Sequence, residues 1–102
     1  MLFDAIGIVT HNYRMEQIEC KDWCVYLLLC EDGSYYAGVT NDLAARFAAH
    51  VAGKGARYTR AHKPIRVLAF KSFGDRSLAQ KAEWAVKQLP KSKKINFFHQ
   101  AT

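Results

Sequence analysis

From Trp23 to Cys30 the chain reads WCVYLLLC, apolar at odd and even positions alike and rich in β-formers. A strand apolar on both faces is covered on both, so this segment is predicted as the central strand of a sheet. Glu31, Asp32 and Gly33 break the run as a turn, and SYYAGVT returns as the second arm of a hairpin. The length of the turn decides which faces the aromatic rings occupy. A loop of Asp32 and Gly33 alone would put Tyr26 and Tyr36 on opposite faces. A loop from Glu31 to Gly33, with Gly33 left-handed, sets Tyr26 opposite Gly38 and Tyr36 opposite Leu28, so that both rings share one face. The second register is favoured, because glycine at the end of the turn takes that conformation without strain.

Beyond the hairpin the period changes to that of a helix. Asn41 is expected to cap it, Asp42 suits its positive end, and it runs to about Ala52 with Gly53 as its stop. Leu43 and Phe47 define its buried stripe, while Arg46 and His50, one turn apart, share a face. GKGARYTRAHKP follows as a glycine-punctuated connection with Lys54, Arg57, Arg60 and Lys63, no acid, and Tyr58 among them. It reads as a phosphate-contacting loop. IRVLAFKSF is a third strand. GDRSLAQKAEWAVKQLP is an amphipathic helix from about Arg76 to Leu89, capped by Asp75 or Ser77, with Leu78, Ala82, Ala85, Val86 and Leu89 inward and Glu83 at the edge of that stripe. After Pro90 the chain is basic and then aromatic, enough for a final helical turn.

The predicted fold is therefore α/β in the order β-β-α-β-α: a small three-stranded, mostly antiparallel sheet, first strand central, flanked by helices. Residues 23–94 form the domain. Residues 1–22 read as an N-terminal extension, either an extra strand at AIGIVT or a leader, and residues 95–102 as a C-terminal tail.

Composition narrows the class. A chain of 102 residues, half of them apolar, supports one core and one domain. No run approaches the roughly 20 apolar residues that cross a bilayer, and the N-terminus lacks the pattern of an export signal. Cys20, Cys24 and Cys30 match neither a redox pair nor a zinc knuckle, so reduced, buried thiols in a cytoplasmic protein are expected. Charge is lopsided: residues 1–42 carry two basic side chains against seven acids, a net −5, and residues 43–102 carry thirteen against two, a net +11. Such a field collects polyanions, nucleic acid above all, although a solvated basic face explains charge alone equally well.

The hairpin with its two tyrosines, Arg46 and His50 on the next helix, and the single glutamate of the later helix together resemble the GIY-YIG nuclease domain, in that family's order and spacing. The likeness runs from about Trp23 to Lys94, is greatest to short stand-alone bacterial members, and extends to the catalytic domain of structure-specific junction endonucleases. The first name-giving triplet is Cys24-Val25-Tyr26 here and the second Tyr36-Ala37-Gly38; GKGARYTR and GDRSLAQKAEWAVKQLPK are similar to the stand-alone group over longer stretches. The resemblance implies a magnesium-dependent endonuclease acting on DNA, in DNA repair or processing, and leaves open RNA as a substrate and a separate targeting protein as a partner. By the same resemblance Glu83 would hold the metal, Tyr26 would deprotonate water, Tyr36 would order the nucleophile or phosphate, Arg46 would hold the scissile phosphate and His50 would bond a tyrosine hydroxyl. Asn96 is the only candidate for the family's asparagine.

These residue types suit that chemistry. A guanidinium stabilises charge that develops on phosphate oxygens, and magnesium keeps most of its water, so one carboxylate plus substrate oxygens suffices. Tyrosine, with a reference pKa near 10, becomes a base where an arginine, a metal and a histidine donor favour the phenolate. Each residue also has an ordinary role. The tyrosines can be cross-strand packing, Arg46 can pair with Asp42 and Glu83 with Lys87, and His50 can serve as a charge at a helix C-terminus. Jointly those ordinary roles require five coincidences in one family's order. A nucleic-acid-binding module of the same fold without hydrolysis is the alternative.

Overall fold

The computed structural model describes Cys20 and residues 22–99. The segment AIGIVT lies outside them. In chain order the elements are β1 (Cys24–Cys30), β2 (Tyr35–Thr40), α1 (Leu43–Val51), α2 (Arg57–Ala61), β3 (Pro64–Ser72), α3 (Arg76–Gln88) and α4 (Lys91–His99). The sheet is antiparallel throughout in the order β2-β1-β3, with the apolar first strand in the centre as its two-sided pattern requires.

The hairpin has the three-residue turn. Tyr26 pairs with Gly38 and Leu28 with Tyr36, Gly33 takes φ 84°, and Cys30 N–H donates to Ser34 O at 2.9 Å. Alternation along β1 then builds two cores. Val25 and Leu27 face the α3 and α4 side, packed with Ala37, Ala69, Ala82, Val86 and Phe98. Cys24, Tyr26 and Leu28 face the α1 side, with Leu43, Val67, Phe70 and the half-buried Tyr36 and Phe47. A one-residue slip would exchange the two sets.

Four expectations are corrected. Asp42, not Asn41, caps α1: its carboxylate accepts from Ala45 N–H at 3.3 Å. Part of the basic connection is helical, forming α2, because Ala56 O accepts from Arg60 N–H. On α3 the cap is Asp75, which accepts from Leu78 N–H at 2.9 Å. That start turns Leu78 outward, 48% exposed, and puts Ala79 in the core instead. Finally, the basic-aromatic tail is a nine-residue helix rather than one turn, held by fully buried Phe98. Burying a phenylalanine side chain contributes about 1.5–3 kcal/mol, enough to hold a short helix against the sheet. Cys20, Cys24 and Cys30 are free, buried thiols.

Candidate active site

The α1 face of the hairpin carries the site. Tyr26 is 1% exposed and His50 fully buried, and the Tyr26 hydroxyl lies 2.8 Å from His50 Nε2. Two glycines make this contact possible. A Cβ on Gly38, directly across from Tyr26, would stand 2.6 Å from the phenol Cζ, and one on Gly55 would stand 2.8 Å from His50 Cε1 and Cγ. Tyr36 completes the group, its ring centroid 6.3 Å from that of Tyr26 and 5.3 Å from that of His50.

Arg46 lies one turn before His50 on the same helix, and against the burial that raises the Tyr26 pKa its charge draws that pKa down. The Thr59 hydroxyl donates to the Ala56 carbonyl at 3.0 Å, so His50 Nδ1 carries the imidazole proton toward Thr59 and Nε2 is left to accept from the Tyr26 hydroxyl. Histidine is therefore the acceptor in this pair. That corrects the expectation of a histidine donor favouring the phenolate: burial outweighs Arg46 and pushes the Tyr26 pKa up, so the resting site holds a phenol. Burial and then the Arg46 charge lower the His50 pKa from 6.5 to about 4, so the imidazole is neutral.

Stability should follow from that shift. Below about pH 6.5 the unfolded chain takes up a proton at His50 that the folded chain refuses until about pH 4. Stability is therefore full above this window and falls as pH drops through it, by about 3 kcal/mol from this one buried group. Urea unfolding at a series of pH values should show this loss in the parent and a smaller one in His50→Gln. Equal acid losses in the two proteins would contradict it.

Around the pair, Tyr36, Tyr58 and His62 form a ladder of nearly parallel rings, with centroids 6.0 and 4.2 Å apart. His62 Nδ1 ends it on Asp32 Oδ2 at 2.7 Å. Lys54, Arg57, Arg60 and Lys63 are all exposed beside this ladder, in and around α2, with Tyr58 at 38%. Glu83 comes from α3, across the sheet. Its Oε2 pairs with Lys87 Nζ at 3.1 Å, and that same ammonium is 6.0 Å from the Tyr36 ring centroid. Asn96 instead lines a groove with Ala85, Leu89, Lys93 and Phe97, which contains none of these residues.

Two neighbours, Thr59 and Gly55, had no role of their own in the sequence, and Lys87 was expected only as an ion-pair partner of Glu83. His50 Nδ1 lies 2.6 Å from the hydroxyl of the buried Thr59. Gly55 gives the imidazole its space, and Lys87 bridges Glu83 to Tyr36. The stretch GKGARYTR flagged the first two only as part of a loop.

The model of the GIY-YIG catalytic domain matches residues 22–96. The chain belongs to the GIY-YIG family. A UPF0213 protein of Xanthomonas campestris is 57% identical over 75 residues, which cover 74% of each chain. A UPF0213 protein of Neisseria gonorrhoeae is 39% identical over 84 residues, covering 82% of this chain and 92% of that one. The solution NMR structure of a UPF0213 protein from Bacillus halodurans is similar at 40% identity, covering 76% of this chain and 82% of that one, with a TM-score of 0.48. The family is one of nucleases. In this GIY-YIG domain the two triplets are the paired strands that bring Tyr26 and Tyr36 to one face. None of the described helices is long and apolar enough to cross a membrane.

Proposed function

We propose that this GIY-YIG domain is a divalent-metal-dependent endonuclease that hydrolyses phosphodiester bonds in DNA, selecting by backbone shape rather than sequence, in DNA repair or processing. The observation that carries it is the buried Tyr26–His50 hydrogen bond, with Arg46 one turn before His50 on the same helix. A phenol joined to a neutral imidazole has somewhere to send its proton. As Tyr26 takes a proton from the attacking water, its own moves to His50 Nε2; the water oxygen bonds to phosphorus as the bond from phosphorus to one sugar oxygen breaks, and that oxygen leaves taking a proton from solvent.

Arg46 has two effects here. Its charge opposes an imidazolium in the resting site, and a phosphate held by the guanidinium would cancel that opposition while being oriented for attack. Substrate binding thus readies the base. Tyr36, beside both rings, would order the water or phosphate. Lys54, Arg57, Arg60 and Lys63 would contact the backbone, with Tyr58 among them; none of these groups is arranged as a base-reading module.

Glu83 would hold the metal. Among the described residues no group of three or more His, Cys, Asp or Glu could hold an ion, but a magnesium that keeps its waters fits a single carboxylate whose partner is an exchangeable lysine. When bound, the ion would supply positive charge against the developing phosphate oxyanion.

The position of Asn96 away from the site favours a second reading, a nucleic-acid-binding module without hydrolysis. Incubation with duplex, branched, single-stranded and RNA substrates, with magnesium or a chelator, separates the two: cleavage that requires the metal is expected. Binding should also weaken with salt at a slope of about −4 to −5 in log K against log salt, if about five basic groups meet phosphates. Salt-dependent binding without cleavage of any substrate would favour the second reading, and a flat salt response would count against both.

A further inference from the structure

We propose that Thr59 is a positioning residue that locks His50 in the one tautomer able to receive the proton of Tyr26. The inference deepens the nuclease reading and rests on it for its catalytic consequence. It starts from a proton count along a buried chain of four groups. Tyr26 oxygen and His50 Nε2 are 2.8 Å apart, His50 Nδ1 and Thr59 Oγ1 2.6 Å, and Thr59 Oγ1 and the Ala56 carbonyl oxygen 3.0 Å.

Both ends of this chain are fixed. The Ala56 carbonyl can only accept, so the Thr59 hydroxyl donates to it and has no proton left for His50. Nδ1 must then carry the imidazole proton and donate to Thr59, which leaves Nε2 with a free lone pair facing Tyr26. At the other end the phenol hydroxyl holds the proton that lies between its oxygen and Nε2, 2.8 Å apart. The reversed assignment would set the Thr59 hydroxyl and the Ala56 carbonyl together as two acceptors with no proton between them.

The fold keeps the lock rigid. Thr59 sits in α2, where the Ala56 carbonyl also receives Arg60 N–H at 3.1 Å, so the anchor oxygen is held by the helix itself. Gly55 lies against the imidazole at Nδ1, where a Cβ would collide with the ring, and the close fit opposes a change of ring orientation. No buried side-chain N or O among the described residues lacks a hydrogen-bond partner.

The chemical consequence concerns one proton. In the locked tautomer the Tyr26 O–H bond breaks, an N–H bond forms at Nε2, and the positive charge is shared by an imidazolium whose Nδ1–H is already bonded to Thr59. With the proton on Nε2 instead, His50 would donate to the phenol oxygen and could not accept from it.

The test reads the tautomer directly. Long-range ¹H–¹⁵N spectra of selectively labelled protein at neutral pH should show His50 with a protonated Nδ1 and an unprotonated Nε2. Thr59→Val removes the acceptor and should shift His50 towards the Nε2–H form. It should also lower kcat roughly tenfold or more with little change in KM, while Thr59→Ser restores both spectrum and rate. Thr59→Ala serves the same comparison if the valine variant does not fold. An Nε2–H tautomer in the parent protein, or a Thr59→Val protein with the parent's tautomer and rate, would overturn the proposal. A parent protein with the expected tautomer that cuts no phosphodiester supports the lock and counts against the nuclease reading instead.

Discussion

Tyr26→Phe should abolish cleavage while the domain stays folded. The substitution removes one oxygen and keeps the ring in its buried place against Tyr36 and His50, at centroid distances of 6.3 and 5.9 Å. What it deletes is the group that takes the proton of water and the link to His50 Nε2. Losing a positioned general base costs about 10²–10⁴-fold in rate. Leaving the buried Nε2 without its donor costs about 1–3 kcal/mol of stability, a shift in the thermal midpoint that a chain of this size shows clearly. DNA affinity should hardly change, since the basic groups around α2 remain. Single-turnover cleavage, thermal unfolding and a binding titration on one preparation separate these effects. If the variant cut at the parent's rate, Tyr26 would be a packing residue and the site as drawn would be wrong.

The part of the fold that positions Tyr26 was legible because local rules determine it. A strand apolar on both faces belongs in the centre of a sheet, and Gly33 could end a three-residue turn without strain, so the register and the shared face of Tyr26 and Tyr36 followed. What was not legible depended on distant packing. The nine residues of α4 alternate poorly as a helix, and it is Phe98 entering the core under α3 that makes them one. Leu78 illustrates the converse: the 3.6-residue period offered it an inward place beside Ala82 and Val86, which are buried, but in the first turn it is Ala79 that meets the core and Leu78 that faces outward.

The site divides along the same line. Arg46 and His50 are one turn apart on one helix, so their common face could be read from spacing. The direction of the Tyr26 hydrogen bond could not, because it depends on which neighbours only donate and which only accept. Thr59 and Gly55 come from a stretch whose helical turn forms only after the chain doubles back on α1. No spacing rule links them to His50, and their roles emerge from contacts alone.

Glu83 carries the other large effect, and there two accounts diverge by orders of magnitude. As an ordinary partner of Lys87 at i, i+4, Glu83 contributes about 0.3–0.5 kcal/mol to the helix and nothing to chemistry. On that account Glu83→Ala and Lys87→Ala behave alike: slightly less stable, equally active. As the metal's carboxylate it cannot be spared, and Glu83→Ala should lose cleavage by about 10²-fold or more, several kcal/mol of transition-state stabilisation, with folding intact. Lys87→Ala then acts in the opposite sense at the metal. It removes the ammonium from Oε2 and should lower the magnesium concentration needed for half-maximal rate, although a cation near Tyr36 is lost with it. Magnesium titrations of the cleavage rate for the parent and both variants distinguish the accounts. Two variants with the same small loss would leave Glu83 a surface ion pair. An inactive Glu83→Ala beside an active Lys87→Ala that needs less magnesium would identify Glu83 as the carboxylate that would hold the ion.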